Sequence, residues 1–536
     1  MTRHVRFDVA TVLAFRPLRV RRRRLPIRLH REPPHAPRKR PAMTTAQPAR
    51  PVTSFCRRPF VSRLVPLLLP LAFAAALPSA QCEPQQTPDM HRFGARGDGQ
   101  TDDTAAIRRA VGDSNGLVRF PRGRFRISET IEIRLAETGP ISLSGDAGTA
   151  TVVMTGPGPA FRFLGSHQGT SGPDTVRDEV WRQQRMPQVE NLEIVGEHPE
   201  ADGLEFLGTL QPGVRGVLIR RVRHAIVLRQ RNRNFILDAS HLYDCSGSGL
   251  LLDRVDLHQA IVQGSHISFC RQGGIRIVGS AIRNLQITGN DIEYNYDQQA
   301  EQSADIWIDS REGSVREGTI ASNTIQAVPT PGGSNIRWIG TPGTPDKVGL
   351  WSITGNHISN QTANIHITDG RGFTITGNSF IRGIDRNILL EDCRNVVLSA
   401  NSIDNNPDYG ESAGNGISIR RSRGVIVSAV QIEAAGPAEG RHGTIEIHDS
   451  NAVTLTGCQL FEPAPDGIHV ARSRNVQIEQ CLIQQDATPP RMAAAIRVAP
   501  DSRGVVIRNN LTSPGTDGDI LASPETSHCE GNRSLQ

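Results

Sequence analysis

Asp305, Trp307 and Asp309 alternate with Ile306 and Ile308 in the stretch ADIWIDS. On a strand with a buried isoleucine face, that alternation turns two carboxylates and an indole outward together. Similar short runs suggest that Arg276 (GIRI), Arg337 (NIRW), His366 (NIHI), Glu446 (TIEI) and His469 (GIHV) occupy the matching outward position on other strands. Ionisable and aromatic groups on one long face suit an extended sugar polymer. Paired carboxylates would serve glycosidic hydrolysis, one as acid and the other as base or nucleophile. Asp305 and Asp309 lie about 13 Å apart by strand rise alone, so Asp291 paired with Asp305 across neighbouring strands is the closer candidate. Elimination from a uronate polymer would need a base and cations instead. Arg276, Arg337 or His366 would supply the cations, and acidic side chains a possible Ca²⁺ site.

Aromatic residues cluster in the same region. Of the four Trp and four Tyr, five fall between residues 294 and 351: Tyr294, Tyr296, Trp307, Trp338 and Trp351. Tyr294, Trp307 and Trp338 are therefore expected to bind substrate together with Arg276, Arg337 and His366, since flat rings with a polar edge stack well on sugar faces. The same stretch holds long interruptions, DIEYNYDQQAEQSAD and QAVPTPGGSNIRWIGTPGTPDKVGL. Long loops on a regular scaffold are usually functional.

The scaffold that would hold these groups is written in a repeat. Asn290, Asn323, Asn356, Asn378 and Asn401 recur in the same short phrase at spacings of 33, 33, 22 and 23 residues. The slot continues through Val430, Cys458, Cys481 and Asn510, and backwards through Ser265 and Ser240. A fixed period marks a solenoid. Two short alternating runs per repeat, rich in Ile, Val, Thr and Asn and separated by turn residues, read as strands. The fold expected is all-β, a right-handed parallel β-helix with stacked coils. Its recurrent Asn residues form a structural amide ladder, not a catalytic set.

Formal charge on the whole chain is +6, but residues 1–81 carry +15 and residues 82–536 carry −9. The part expected to fold is thus mildly acidic, and no nucleic-acid partner is expected. Arg50, Arg57, Arg58 and Arg63 precede the apolar run Leu64–Leu77 and then PSAQC. That order describes a secretory signal, because the run is too short to span a membrane. A secreted or periplasmic product with no transmembrane segment after cleavage is expected.

The organisation read from the sequence is a mis-assigned upstream extension at 1–42, with translation starting at Met43, then a signal peptide at 43–80 and a linker at 81–90. An amino-terminal cap with the first coils follows at 91–165, then a loop insertion at 166–188, the repeats at 189–515 and a tail at 516–536. Cys245 with Cys270, and Cys458 with Cys481, occupy stacked slots and suit either disulfides or buried thiols. No zinc-type spacing of Cys and His occurs, and the sequence specifies no oligomeric state.

FGARGDGQTDDTAAIRRAV at 93–111 reads as a short amphipathic helix entered through Thr101, Asp102 and Asp103, followed by GLVRFPRGRFRIS at 116–128. Such a helix closes the open end of a solenoid core, so Asp98, Asp102 and Asp103 are expected in turns and caps. This pair of strings resembles the entrance module of the pectate lyase superfamily. The resemblance implies a right-handed β-helix and exported, carbohydrate-directed activity. The polygalacturonase residue set is absent in order, and the aspartate calcium cluster of true pectate lyases is not assignable. Cleavage of a polysaccharide by elimination or hydrolysis is the expected function, with a non-catalytic polysaccharide-binding or cell-surface protein as the alternative and a sugar epimerase third.

Overall fold

A computed structural model describes residues 90–535 apart from 147, 171, 406, 407, 409–412, 434 and 437. The start at Met43, the signal peptide and the linker up to residue 89 lie outside the described residues. Successive coils stack in parallel register, each contributing strands to three faces. One coil runs through Ile275–Val278 on the first face, Ala281–Thr288 on the second and Asp291–Glu293 on the third. The next follows with Ala304–Asp309, Ser314–Ala321 and Thr324–Gln326. All pairings named are parallel, as coils wound in one direction require.

Alternation drives one side of every strand inward. Ile277, Ile308, Ile367 and Leu390 are fully buried in one such column. Trp338, Trp351 and Phe373 fill the wide middle of the core edge-to-face, with ring centroids 5.3 and 5.1 Å apart. At the lower end the helix Thr104–Gly112 buries Ala106, Ile107, Ala110 and Val111. Asp102 accepts the Thr104 N–H at 3.0 Å, and Asp103 accepts those of Arg96 and Gly97 at 2.8 and 3.0 Å. The acidic entrance residues thus hold a turn and a helix start.

The amide ladder runs along the corner between the second and third faces. Each Asn Oδ1 accepts both the backbone N–H and the side-chain amide of the Asn one coil below. The distances are 2.9 and 3.0 Å for Asn290 on Asn323, and 3.0 and 2.9 Å for Asn323 on Asn356. Asn356 to Asn378 and Asn378 to Asn401 repeat the pattern at 3.0 Å. Ser240 and Ser265 occupy the slot upstream, Ser265 Oγ accepting the Ser240 N–H at 3.2 Å.

Cys245, Cys270, Cys458 and Cys481 are free, buried thiols, so these pairs stack as small apolar side chains. Residues 516–536, expected as a tail, instead carry strands Gly518–Leu521, Ser527–Glu530 and Arg533–Ser534, which stack on the coil before them. Among the described residues no helix is long and apolar enough to cross a membrane.

Candidate functional site

On the first face, Arg276, Trp307, Arg337 and His366 pair in register on four consecutive coils, and Glu446 pairs with His469 further up the same column. The Arg276 guanidinium lies 5.1 Å from the centre of the Trp307 ring, a cation–π contact. Arg337 donates to His366 Nδ1 at 2.6 Å, so the imidazole proton sits on Nε2, which donates to Glu391 at 2.9 Å. Burial holds the His366 pKa below its ordinary value. The histidine, with burial working against it and Arg421 assisting, holds Glu391 down at about 2. Both nitrogens of His366 are thus engaged, between the Arg337 guanidinium and the Glu391 carboxylate.

Two placements expected from the sequence change. Asp305 is fully buried, not exposed. At the corner between third and first faces its side chain turns inward, where it accepts from the Asn295 N–H and side-chain amide at 3.0 and 3.1 Å and from the Asn335 amide at 3.1 Å. Burial drives its carboxyl far above the usual range. Trp338 is likewise fully buried, because it shares the inward parity of Ile336 and meets Trp351 edge-to-face. Asp309 does face outward, but Arg311 clamps it through two bonds of 2.9 and 2.5 Å. Burial raises its pKa, and the Arg311 contacts outweigh that and leave it lowered.

Asp291 belongs to the third face, so its partner is not Asp305. The strand Asp291–Glu293 buries Ile292 and turns Asp291 and Glu293 out on the same side. Glu293 is pushed up to about 7, first by burial and then by its hydrogen bond to Asp291 and that group's charge. Asp291 Oδ1 is buried and meets no other donor. A protonated Glu293 would offer that oxygen a hydrogen, since the two side chains leave the strand on one side. On the far side, Asp291 Oδ2 lies 3.1 Å from His266 Nδ1.

Aromatic rings continue from this pair. Tyr294 stacks on Phe269 with centroids 5.4 Å apart and planes 23° from parallel, and Phe269 meets Tyr243 edge-on at 5.5 Å. Tyr243 and Phe269 are exposed. A cleft of 490 Å³ opens below, with Glu193, His241 and His266 in its lining. A carboxyl pair thus lies between a cleft and an exposed aromatic strip, so that groups able to give or take a proton stand beside flat apolar rings.

Glu293, His266, Phe269 and Tyr243 were not singled out in the sequence, although the signals are present. Asp291 and Glu293 flank one buried Ile at a spacing of two, and His241, His266 and Asp291 each follow a ladder residue. Among the described residues no group of three or more His, Cys, Asp or Glu side chains is arranged to hold a metal ion, so the possible Ca²⁺ has no donor set assigned there.

The sequence pattern of the family described as "Right handed beta helix region" matches residues 180–325, 319–483 and 408–533. That described as "Rhamnogalacturonase A/epimerase, pectate lyase-like" matches residues 89–185. The chain is a right-handed β-helix protein of the pectate lyase-like superfamily. No curated protein matches it. Among solved structures it is similar to ORF18 of Geobacillus virus E2, with 16% identity, 68% of this chain and 59% of that one covered, and a TM-score of 0.38. The chain thus spans about three fifths of that phage protein's length. It is similar to the Dettilon tailspike protein gp208 at 14% identity, with 78% and 70% covered and a TM-score of 0.44. It is similar to the A-module of mannuronan C-5 epimerase AlgE4 from Azotobacter vinelandii at 12% identity, with 84% and 97% covered and a TM-score of 0.31. These likenesses are of fold alone.

Proposed function

We propose that this β-helix protein is an exported enzyme that cleaves a uronic-acid-containing polysaccharide by elimination, with Glu293 and Asp291 as its catalytic pair. The supporting observation is two neighbouring carboxyls turned out on the same side of one strand, with Glu293 pushed up to about 7 by burial and by Asp291, so that the pair can hold one proton. Hydrolysis needs two carboxyls flanking the bond, about 5 Å apart or more. A touching pair suits elimination better, because base and acid act from the same side of the sugar.

In that reaction the ionised member takes the proton from the carbon next to the uronate carbonyl. The C–H electron pair becomes a C=C bond, the C–O bond to the leaving sugar breaks, and the protonated member gives its proton to the leaving oxygen. The pair ends with one proton, as it began. His266 steadies Asp291, and Tyr294 with Phe269 carries the neighbouring sugar. The negative pair repels a free carboxylate, so a uronosyl residue with an esterified carboxyl is the favoured substrate. Export rests on the arginine-led apolar run at 64–77.

The test is to incubate the purified protein with methyl-esterified pectin, polygalacturonate, alginate and neutral glucans while following ultraviolet absorbance and reducing ends. Absorbance that grows with chain shortening and is lost in Glu293→Gln supports elimination. Reducing ends without absorbance select hydrolysis. Unchanged polymer length selects the binding reading, which the mutually paired charges of the first face favour.

A further inference from the structure

The second face carries a groove of 860 Å³. It follows a backbone bend that recurs along this face, and the bends of six consecutive coils line it. Asn234, Gln259, Asn284, Glu317, Leu350 and Gly372 all hold positive φ, between 54° and 70°. They occupy one slot, since the residues that follow them pair in register from Phe235 through Gly318 to Phe373. The repeated left-handed residue folds each strand inward, and the stacked bends make a trough along the solenoid axis. At about 4.8 Å per coil, five steps give a length of about 24 Å.

The two walls differ from the rest of the surface in their chemistry. One wall begins with three amides, with the Asn234 amide donating to Gln259 at 2.7 Å and Asn284 lying 3.1 Å from His258. The opposite wall is Ile236, Ile261, Gln286 and Thr319, one coil after another, with Ile236 exposed. Glu317 is the single charged residue in the lining, and Arg283 approaches it at 3.9 Å. Elsewhere the surface is dense in Arg–carboxylate pairs, so a trough of this length with one charged residue in its lining is distinctive.

We propose that this groove binds an uncharged polysaccharide chain laid along the solenoid axis, at a site separate from the carboxyl pair on the third face. Amides offer one donor group and one acceptor each to sugar hydroxyls, and the isoleucines and Leu350 face the apolar C–H side of the rings. One coil is close to the length of one pyranose in an extended chain, so each sugar meets an equivalent set of groups. A charged polymer would have to leave its carboxylates unpaired among amides and aliphatic carbons, which is costly.

Affinity electrophoresis in gels containing hydroxyethylcellulose, galactomannan, dextran or polygalacturonate tests this. The intact protein should be retarded by at least one neutral polymer, insensitively to salt. Thr319→Arg, which puts a long charged side chain in mid-groove, should weaken that retardation roughly tenfold or more, and the double variant Gln259→Ala/Asn284→Ala several-fold. Glu293→Gln should leave it unchanged. If Thr319→Arg fails to fold, as judged by thermal unfolding, the double variant decides. The proposal is overturned if no neutral polymer retards the protein, if both groove variants keep wild-type affinity, or if polygalacturonate alone is bound in a salt-sensitive way.

Discussion

Replacing Asn356 by Ala removes the middle rung of the amide ladder, and its cost follows from the bonds that rung makes. Asn356 Oδ1 accepts the Asn323 N–H at 3.0 Å and the Asn323 side-chain amide at 2.9 Å. Its own amide donates to the Ile320 carbonyl at 2.9 Å and to Asn378 Oδ1 at 3.0 Å. After the change the Asn323 side chain keeps the Ile287 carbonyl at 3.0 Å, and Asn378 Oδ1 keeps the Asn356 N–H at 3.0 Å. The Asn323 N–H keeps nothing, and Asn323 is 2% exposed. One orphaned buried donor costs about 1–3 kcal/mol and each of the other three lost bonds about 1 kcal/mol, so the loss is about 4–6 kcal/mol. Asn356→Ser should cost about half, because a hydroxyl in this slot accepts the N–H below it, as Ser265 does for Ser240. Urea unfolding followed by circular dichroism measures both, and hydrogen exchange at the Asn323 amide reports the break locally, since solenoid coils depend chiefly on their neighbours. A loss under 1 kcal/mol in the alanine variant, or equal losses in the two variants, would refute the orphaned-donor reasoning.

Three further outcomes are expected. Asp305→Asn should stabilise the protein by about 1 kcal/mol at pH 7 and leave any polymer-cleaving activity intact. The same slot on the next coils holds Asn335, Asn364 and Asn387, and turning the Asn335 amide would satisfy its partnerless Oδ1; denaturant midpoints and activity check this. Trp338→Ala should cost about 3–5 kcal/mol through the cavity left against Trp351 and Phe373 without changing polymer affinity, as melting and gel retardation would show. Glu446 sits at about 2 in the folded protein, where burial is outweighed by His448, Ser418, the His442 N–H and Arg441. Its folded pKa is depressed, so the stability it contributes is full above its ordinary pKa and falls away as pH drops from there towards 2. The amount is at most about 3 kcal/mol, and Glu446→Gln should flatten acid-unfolding curves over that window.

The fold was legible because a parallel β-helix repeats its sequence constraints at every coil. The Asn phrase, the alternating runs and the GDG-containing entrance each specify one part of the scaffold. The first-face column from Arg276 to His366 was legible for the same reason, since parallel stacking places equal slots one above another. The site residues were harder, because parity fails at corners. Asp305 shares the outward parity of Trp307, yet it stands where the chain turns between faces and the inner amides claim its oxygens. Trp338 follows parity and was misplaced by weight given to aromatic clustering. Glu293 carries no motif. What makes it unusual is burial beside Asp291, and a pKa arises from surroundings that one strand does not spell out.

The most direct test is a site-resolved titration of Glu293 by carboxyl-carbon NMR, in the wild type and in Asp291→Asn. Titration near 7 in the wild type, moving clearly towards the ordinary glutamate range when the neighbouring charge is removed, is the result expected from a proton shared between the two carboxyls. An ordinary glutamate titration in both proteins would contradict it, and the catalytic reading of the third face would fall with it.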